Sequence, residues 1–225
     1  MGKAVLTSVT EAQEFDMVAF NRNRRLWVGA SVAGLAVAWA GLPRQAGAQG
    51  LRPTPAQMEG PFYPVRLPAD QDNDLLRNGA ARYSGGQPAW VEGTLTDVDG
   101  VPLAGGVVEI WQCDDAGHYH HPGDGDKADP AFQGWGRAVV GRDGRYRFRT
   151  IRPVAYTGRT PHIHFKVVLG RLPLLTTQMY VAGDPGNERD GLWRRLSPDN
   201  RALLTVPFHA GPDGLRAHFP LVVEA

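Results

Sequence analysis

The sequence predicts an all-β fold, an antiparallel β-sandwich with long loops that carry the site. Three observations predict it. From Trp90 onward, short runs of alternating apolar and polar residues recur between turn signals. Asp-Gly turns at 99–100 and 143–144 join neighbouring runs. No window holds a long amphipathic helical period. Strands at this spacing with such turns argue for a sandwich or barrel.

The elements read in order. WVEGTLTD (90–97) is a strand that ends in the turn DVDG, and GVVEIWQC (106–113) alternates Val107, Glu109 and Trp111 against Val108, Ile110 and Gln112. RAVVG (137–141) leads through RDG into YRFRTI (146–151). HIHFKVVL (162–169), LLTTQMYV (174–181), LLTVPF (203–208) and LRAHFPLVV (215–223) complete the set. DNDLLRNG (72–79) and GNERDGLWRRL (186–196) read as short peripheral helices. The loops 114–136 and 182–202 are rich in Gly, Pro and Asp, and long loops on a rigid β scaffold are where function concentrates.

The 225 residues divide into an N-terminal extension (1–48), an arm (49–89) and the β domain (90–225). In the extension, Arg22, Arg24 and Arg25 precede an apolar run from Leu26 to Leu42, and Ala46-Gly47-Ala48 forms an A-x-A site. These are the three parts of an export signal. The pair Arg24-Arg25 and the modest hydrophobicity point to the twin-arginine type, hence to a periplasmic or extracellular mature protein with no membrane span. The alternative is an uncleaved anchor, since the run is near the lower length limit for spanning. Met17 is an alternative start.

Composition excludes little but helps. The net charge is +1 and 21 % of residues are charged, so nothing suggests a nucleic-acid partner. Cys113 is the only cysteine, so no intramolecular disulfide exists; it reads as a small buried residue.

The segment GRTPHIHFKVV (158–168) carries the chemistry. On a strand, Ile163, Phe165 and Val167 share one face, and His162, His164 and Lys166 share the other. The apolar set is the core face, so the two histidines point away from it. Their Cα atoms lie about 6.6 Å apart, two strand rises, and imidazoles at that spacing can converge on one metal. Further donors crowd AGHYHHPGDGD (116–126), with His118, Tyr119, His120 and His121, and Tyr156 lies six residues before His162. A His-rich zinc or copper site and a site using the phenols both remain open. A phenol must be driven to ionise from a pKa near 10. A hard trivalent ion supplies that drive, so two tyrosines with two histidines would suit ferric iron.

Taken together, MEGPFYP (58–64), DNDLL (72–76), GTLTDVDGVPLAGGVVEIWQCDDAGHYHH (93–121), DPAFQGWGR (129–137), DGRYRFRTIRPVAY (143–156), GRTPHIHFKV (158–167) and TTQMYVAGDP (176–185) resemble the intradiol ring-cleavage dioxygenases, above all the protocatechuate 3,4-dioxygenase subunits. The resemblance implies non-haem Fe(III) held by Tyr119, Tyr156, His162 and His164. It implies that Tyr156 leaves the metal and accepts a proton when a catechol chelates, and that Arg159 stabilises charge on the ring. Gln178 would line the catechol pocket and Tyr63 would border it. The implied reaction opens a catechol between its hydroxylated carbons with O2, giving a muconate-type dicarboxylic acid.

Two departures bear on substrate. The connection TGRTP between Tyr156 and His162 is shorter than in protocatechuate enzymes, and Thr157 and Gly158 stand where those enzymes place an aromatic residue. A trimmed loop suits bulkier catechols. His118, His120 and His121 read as loop or ligand-orienting residues, Asp124, Asp126 and Asp129 as a solvated turn, and Trp111 and Trp135 as core. The rivals are a non-catalytic prealbumin-like binding module, which the run 93–111 also resembles, and the zinc or copper His-cluster protein. A homo-oligomer is expected of the family.

Overall fold

The computed structural model describes residues 50–225, and the export-signal expectation for residues 1–48 lies outside the described residues. Among the described residues no helix is long and apolar enough to cross a membrane. The elements are β1 (Arg77–Asn78), β2 (Ala81–Arg82), β3 (Pro88–Asp97), β4 (Val107–Trp111), β5 (Trp135–Val139), β6 (Arg145–Ile151), β7 (His162–Leu169), β8 (Leu172–Val181), α1 (Gly191–Arg194), α2 (Pro198–Leu204), β9 (Thr205–Val206), β10 (His209–Gly211), β11 (Gly214–His218) and β12 (Leu221–Val223). The protein is all-β, as its alternation predicts.

Two five-stranded sheets and the small β1–β2 ribbon make up the structure. In one sheet β3 is central: it pairs antiparallel with β6 on one side and parallel with β11 and then β12 on the other. The second sheet runs β5-β4-β7-β8-β9. Its members are antiparallel except for the β8–β9 pair. The inward faces of both sheets feed one hydrophobic core. Val91, Leu95, Phe148 and Leu221 come from the first, and Val108, Ile110, Ile163 and Phe165 from the second. Phe165 meets Phe219 at a ring separation of 4.9 Å. Each such side chain, fully buried, contributes about 1.5–3 kcal/mol.

The arm 50–89 is tied to both sheets. Thr54 N–H donates to the Val222 carbonyl (2.9 Å), and Gln57 N–H to that of Thr176 (2.8 Å). Leu75 is buried in the core.

The structure departs from the sequence reading at four places. The sheets are not wholly antiparallel, because β11 and β12 return alongside β3 from the same end. LRAHFPLVV is two strands rather than one: Pro220 has no N–H to donate, and the ladder breaks at Phe219-Pro220. Leu203 and Leu204 close α2 instead of opening a strand. DNDLLRNG forms no helix. Asp72 and Asp74 take up the backbone N–H groups of Asp74 and Leu76, the local competition that disfavours these residues in helices.

Candidate active site

β7 places the histidines. Ile163, Phe165 and Val167 enter the core, and His162 and His164 leave on the opposite face, each only 1 % exposed. They are buried because a second cluster covers that face: Trp111, Cys113, Tyr119 and Trp135, with Phe62, Tyr63, Val154 and Tyr156 packed against it. Trp111 and Trp135 are therefore buried as expected, but on the site side of the sheet rather than in the main core. Trp111 pairs with His164 across β4–β7 and stacks on it at 4.7 Å and 9°.

Four rings converge here. His162 and His164 are 4.8 Å apart by centroid, and their Nε2 atoms 3.2 Å. Tyr156 lies 5.5 Å from His162 and 5.1 Å from Tyr119, and Tyr119 lies 6.4 Å from His164. His162 Nδ1 is 2.6 Å from the Thr160 carbonyl. A carbonyl only accepts, so Nδ1 carries the proton and Nε2 presents a lone pair, the arrangement of a metal-ligating histidine. The Tyr119 hydroxyl is buried with no hydrogen-bond partner.

The electrostatics agree. Burial, reinforced by the charge of Arg159, pushes His162 down to about 4. Burial, then the charges of His162 and Arg159, hold His164 well below the usual imidazole range. Both are neutral at pH 7. Burial raises the Tyr119 phenol well above its ordinary range, with Cys113 and Tyr156 adding to the effect and Arg159 opposing it. Tyr156 is also raised by burial, against the charge and hydrogen bonding of Arg159. Either phenol would ionise readily only beside a strong cation. The Cys113 thiol, pushed up to about 12 mainly by burial, is inert.

The 114–136 loop presents Tyr119 by tying down its neighbours. Asp114 Oδ1 accepts from Ala116 N and His118 N, and its Oδ2 from Asp129 N. Asp124 Oδ2 accepts from Tyr119 N at 2.7 Å and lies 3.3 Å from His118 Nδ1. Asp124 is thus a clamp on the tyrosine and not merely part of a solvated turn. His120 Nε2 donates to the Phe132 carbonyl (2.5 Å), and His121 Nδ1 accepts from Gly123 N (2.9 Å). Each loop histidine has one ring nitrogen engaged within the loop. Among the described residues no group of three or more His, Cys, Asp or Glu is arranged to hold a metal. This geometry gives the His-cluster alternative no support.

Known proteins share this design. The dioxygenase family model matches residues 58–194, more than half of the chain. The chain belongs to the intradiol ring-cleavage dioxygenase family. It is 33 % identical over 158 residues to hydroxyquinol 1,2-dioxygenase of Nocardioides simplex, covering 62 % of this chain and 51 % of that protein. It is 38 % identical over 136 residues to the protocatechuate 3,4-dioxygenase beta chain of Burkholderia cepacia, covering 56 % and 58 %. The chain spans about half the length of the curated relatives it matches. Among solved structures it resembles the dioxygenase domain of a dioxygenase–carbohydrate-binding protein fusion from the cellulolytic bacterium Streptomyces sp. SirexAA-E. The TM-score is 0.61 and the identity 32 %, covering 77 % of this chain and 99 % of that one. An intradiol dioxygenase from Tetranychus urticae shares the fold at 23 % identity and a TM-score of 0.62, covering 77 % and 95 %.

Within this family member, Arg159 and Gln178 work as a pair. Arg159 Nη2 donates to Gln178 Oε1 (2.7 Å) and Arg159 Nε to Asp190 Oδ2 (2.7 Å). Gln178 is fully buried, opposite His164 on β8, and its amide nitrogen is held by the Met58 carbonyl. Its oxygen is spent on Arg159, with Tyr180 also donating to it at 3.2 Å. Gln178 therefore orients Arg159 more directly than it offers a free polar group. Tyr63 packs against the cluster that covers the histidines. Its hydroxyl donates to Glu109 (2.8 Å), Lys166 lies over its ring, and its edge meets Trp111. The neighbouring Phe62 takes the site position, stacked on Tyr119 at 4.8 Å and 5.8 Å from Tyr156.

The sequence reading missed Phe62, Trp111 as a stacking partner, Thr160 and Asp190. The period-2 alternation of β4 puts Trp111 on the Glu109 face, and pairing β4 with β7 would have set it beside His164. Asp190 carried no such signal, for its target Arg159 is 31 residues away. Tyr156 and Arg159 open onto a cleft of about 750 Å³ that also takes in Arg152, Val154, Asp184 and Arg189. A groove of about 680 Å³ between β5 and β6, which includes Arg137 and Arg147, contains none of the four rings.

Proposed function

We propose that this chain is a non-haem Fe(III) dioxygenase that opens a catechol-type ring between its two hydroxylated carbons with O2, giving a muconate-type dicarboxylic acid. One observation carries the reading. Among the described residues the buried Tyr119 hydroxyl has no hydrogen-bond partner, and it lies beside two neutral imidazoles whose Nε2 atoms face each other at 3.2 Å. A buried hydroxyl left unpaired costs about 1–3 kcal/mol, and a bound cation would relieve it.

The donors fit ferric iron. Two phenols and two imidazoles, with no thiolate, form a hard oxygen- and nitrogen-rich set. Tyr119, Tyr156, His162 and His164 would hold the ion, which when bound supplies Lewis acidity and a template for a catechol's two oxygens. Tyr156 is the natural ligand to yield. It is half-buried at the cleft, whereas Tyr119 is 2 % exposed and clamped by Asp124. Its phenol oxygen, exposed toward the cleft, would also be placed to accept a proton from a catechol hydroxyl, so one residue could hold the ion and serve as base. Arg159, held by Asp190 and Gln178, offers a fixed positive charge beside the ring. Phe62 and Trp111 pack against Tyr119 on the buried side, where with Trp135 they line a pocket of about 180 Å³.

The two sheets over one core are read as a sandwich of the prealbumin kind. The arginine pair and apolar run of residues 24–42 support export by the twin-arginine route, and family habit supports self-association. The visible spectrum, taken with and without catechols in the absence of O2, tests the central reading. A broad visible band that moves to longer wavelength on adding a catechol is expected. A protein that stays colourless after ferric loading would overturn it and favour a non-catalytic module.

A further inference from the structure

The cleft beside Tyr156 is larger and more basic than a bare catechol requires. Its volume, about 750 Å³, lies in the range of pockets that enclose drug-sized molecules, roughly 300–1,000 Å³. It stays open because of a tight turn. Arg159 N–H donates to the Tyr156 carbonyl at 2.7 Å, and Gly158 takes the left-handed conformation (φ 75°) that this turn needs. Thr157 and Gly158 are both exposed. Among the described residues no side chain lies within 4 Å of a Cβ built at Gly158.

The charges are unevenly matched. Arg152, Arg159 and Arg189 line the cleft with Asp184 as the one lining carboxylate. Asp190, behind Arg159, forms an ion pair with that guanidinium at 2.7 Å. Asp184 is 3.9 Å from Arg152 and half turned away, since its other oxygen caps Gly186 N at 2.8 Å. Arg189 is exposed, with no ion pair among the described residues. One positive charge is left over. It sits on Arg189, which lines the cleft with Arg152 and Arg159.

Building on the catechol reading above, we propose that this cleft is a subsite for an acidic side chain of the substrate. The ligand is a catechol bearing an extension of two or more carbons that ends in a carboxylate, paired with Arg189 and flanked by Arg152. A carboxylate placed directly on the ring would lie by Arg159, whose Nε and Nη2 donors are already engaged by Asp190 and Gln178. One on an extension reaches the guanidinium without a partner, and Arg presents a planar fork suited to a carboxylate.

The test compares 3-(3,4-dihydroxyphenyl)propanoate with its methyl ester on the iron-loaded protein, with 4-methylcatechol as reference. The acid is expected to exceed the ester about fivefold in kcat/KM, the worth of a half-exposed ion pair. The ratio should collapse toward one in Arg189→Gln and at high salt, and Arg189→Lys should restore part of it. A second readout is independent of turnover. 3-(3,4-Dimethoxyphenyl)propanoate cannot chelate a metal, and its NMR-detected binding to the iron-free protein should weaken in Arg189→Gln. If 4-methylcatechol is opened but acid and ester react alike in all three proteins, the subsite is refuted while the dioxygenase reading stands. If no catechol is opened, that reading has failed, and loss or retention of dimethoxy-acid binding in Arg189→Gln still decides the subsite.

Discussion

Asp190→Asn removes one charge and no atom of size, yet the geometry makes it costly. Oδ1 of Asp190 accepts from Leu192 N (2.8 Å) and Trp193 N (3.0 Å), and Oδ2 from Arg159 Nε (2.7 Å) and Thr160 N (3.0 Å). Whichever oxygen becomes an amide nitrogen, it faces two donors. Two hydrogen bonds are lost in a residue that is 1 % exposed. An unsatisfied buried group costs about 1–3 kcal/mol. The partly exposed Arg159 can turn to water, so a loss of about 3 kcal/mol is expected. For a chain of this size that lowers Tm by about 6–12 °C. Burial works to raise the Asp190 carboxyl, but the Trp193 N–H, Arg159 and the Thr160 N–H together hold it below the ordinary range. A carboxyl depressed in the folded state stabilises above its unfolded pKa, near 3.9, and that contribution is lost as pH falls through the folded value. The native protein should therefore weaken below about pH 4, and the variant should lack this component. Urea unfolding at pH 7 and down the acid limb measures both. A variant within about 0.5 kcal/mol of the parent at pH 7, with the same acid limb, would refute the reasoning.

Three further outcomes are expected. Tyr119→Phe should leave the iron-free protein at least as stable as the parent, since it deletes a buried hydroxyl without a partner, a relief of up to about 1–3 kcal/mol. The same change should abolish the rise in Tm on adding ferric iron, so paired melts with and without iron check both halves. Trp111→Ala should cost about 3–5 kcal/mol and free the His164 ring it stacks on, read as destabilisation by urea together with weaker iron retention. Gly93→Ala should cost about 3 kcal/mol or more, because its Cβ would fall 2.1 Å from the Phe219 carbonyl oxygen and 2.8 Å from the Tyr146 hydroxyl; soluble expression and circular dichroism report the loss.

The sequence by itself determined the strands and the face each residue takes. Alternation in HIHFKVVL separates Ile163, Phe165 and Val167 from His162 and His164 with no tertiary information, because a strand repeats every two residues. The same local rule placed β3, β4, β6 and β8 to within two residues at each end, and the motif order pointed to the four rings. Tertiary structure alone decided what those rings touch. Tyr63 and Phe62 are neighbours of equal promise in the chain, but Glu109 draws one phenol away and Tyr119 stacks with the other ring. Asp190 reaches Arg159 across 31 residues, and Gln178 spends its oxygen there too. Local geometry is set by φ, ψ and side-chain chemistry along a few residues. The pairing of a buried donor with its acceptor depends on which distant segments the core brings together, and no short-range pattern records that.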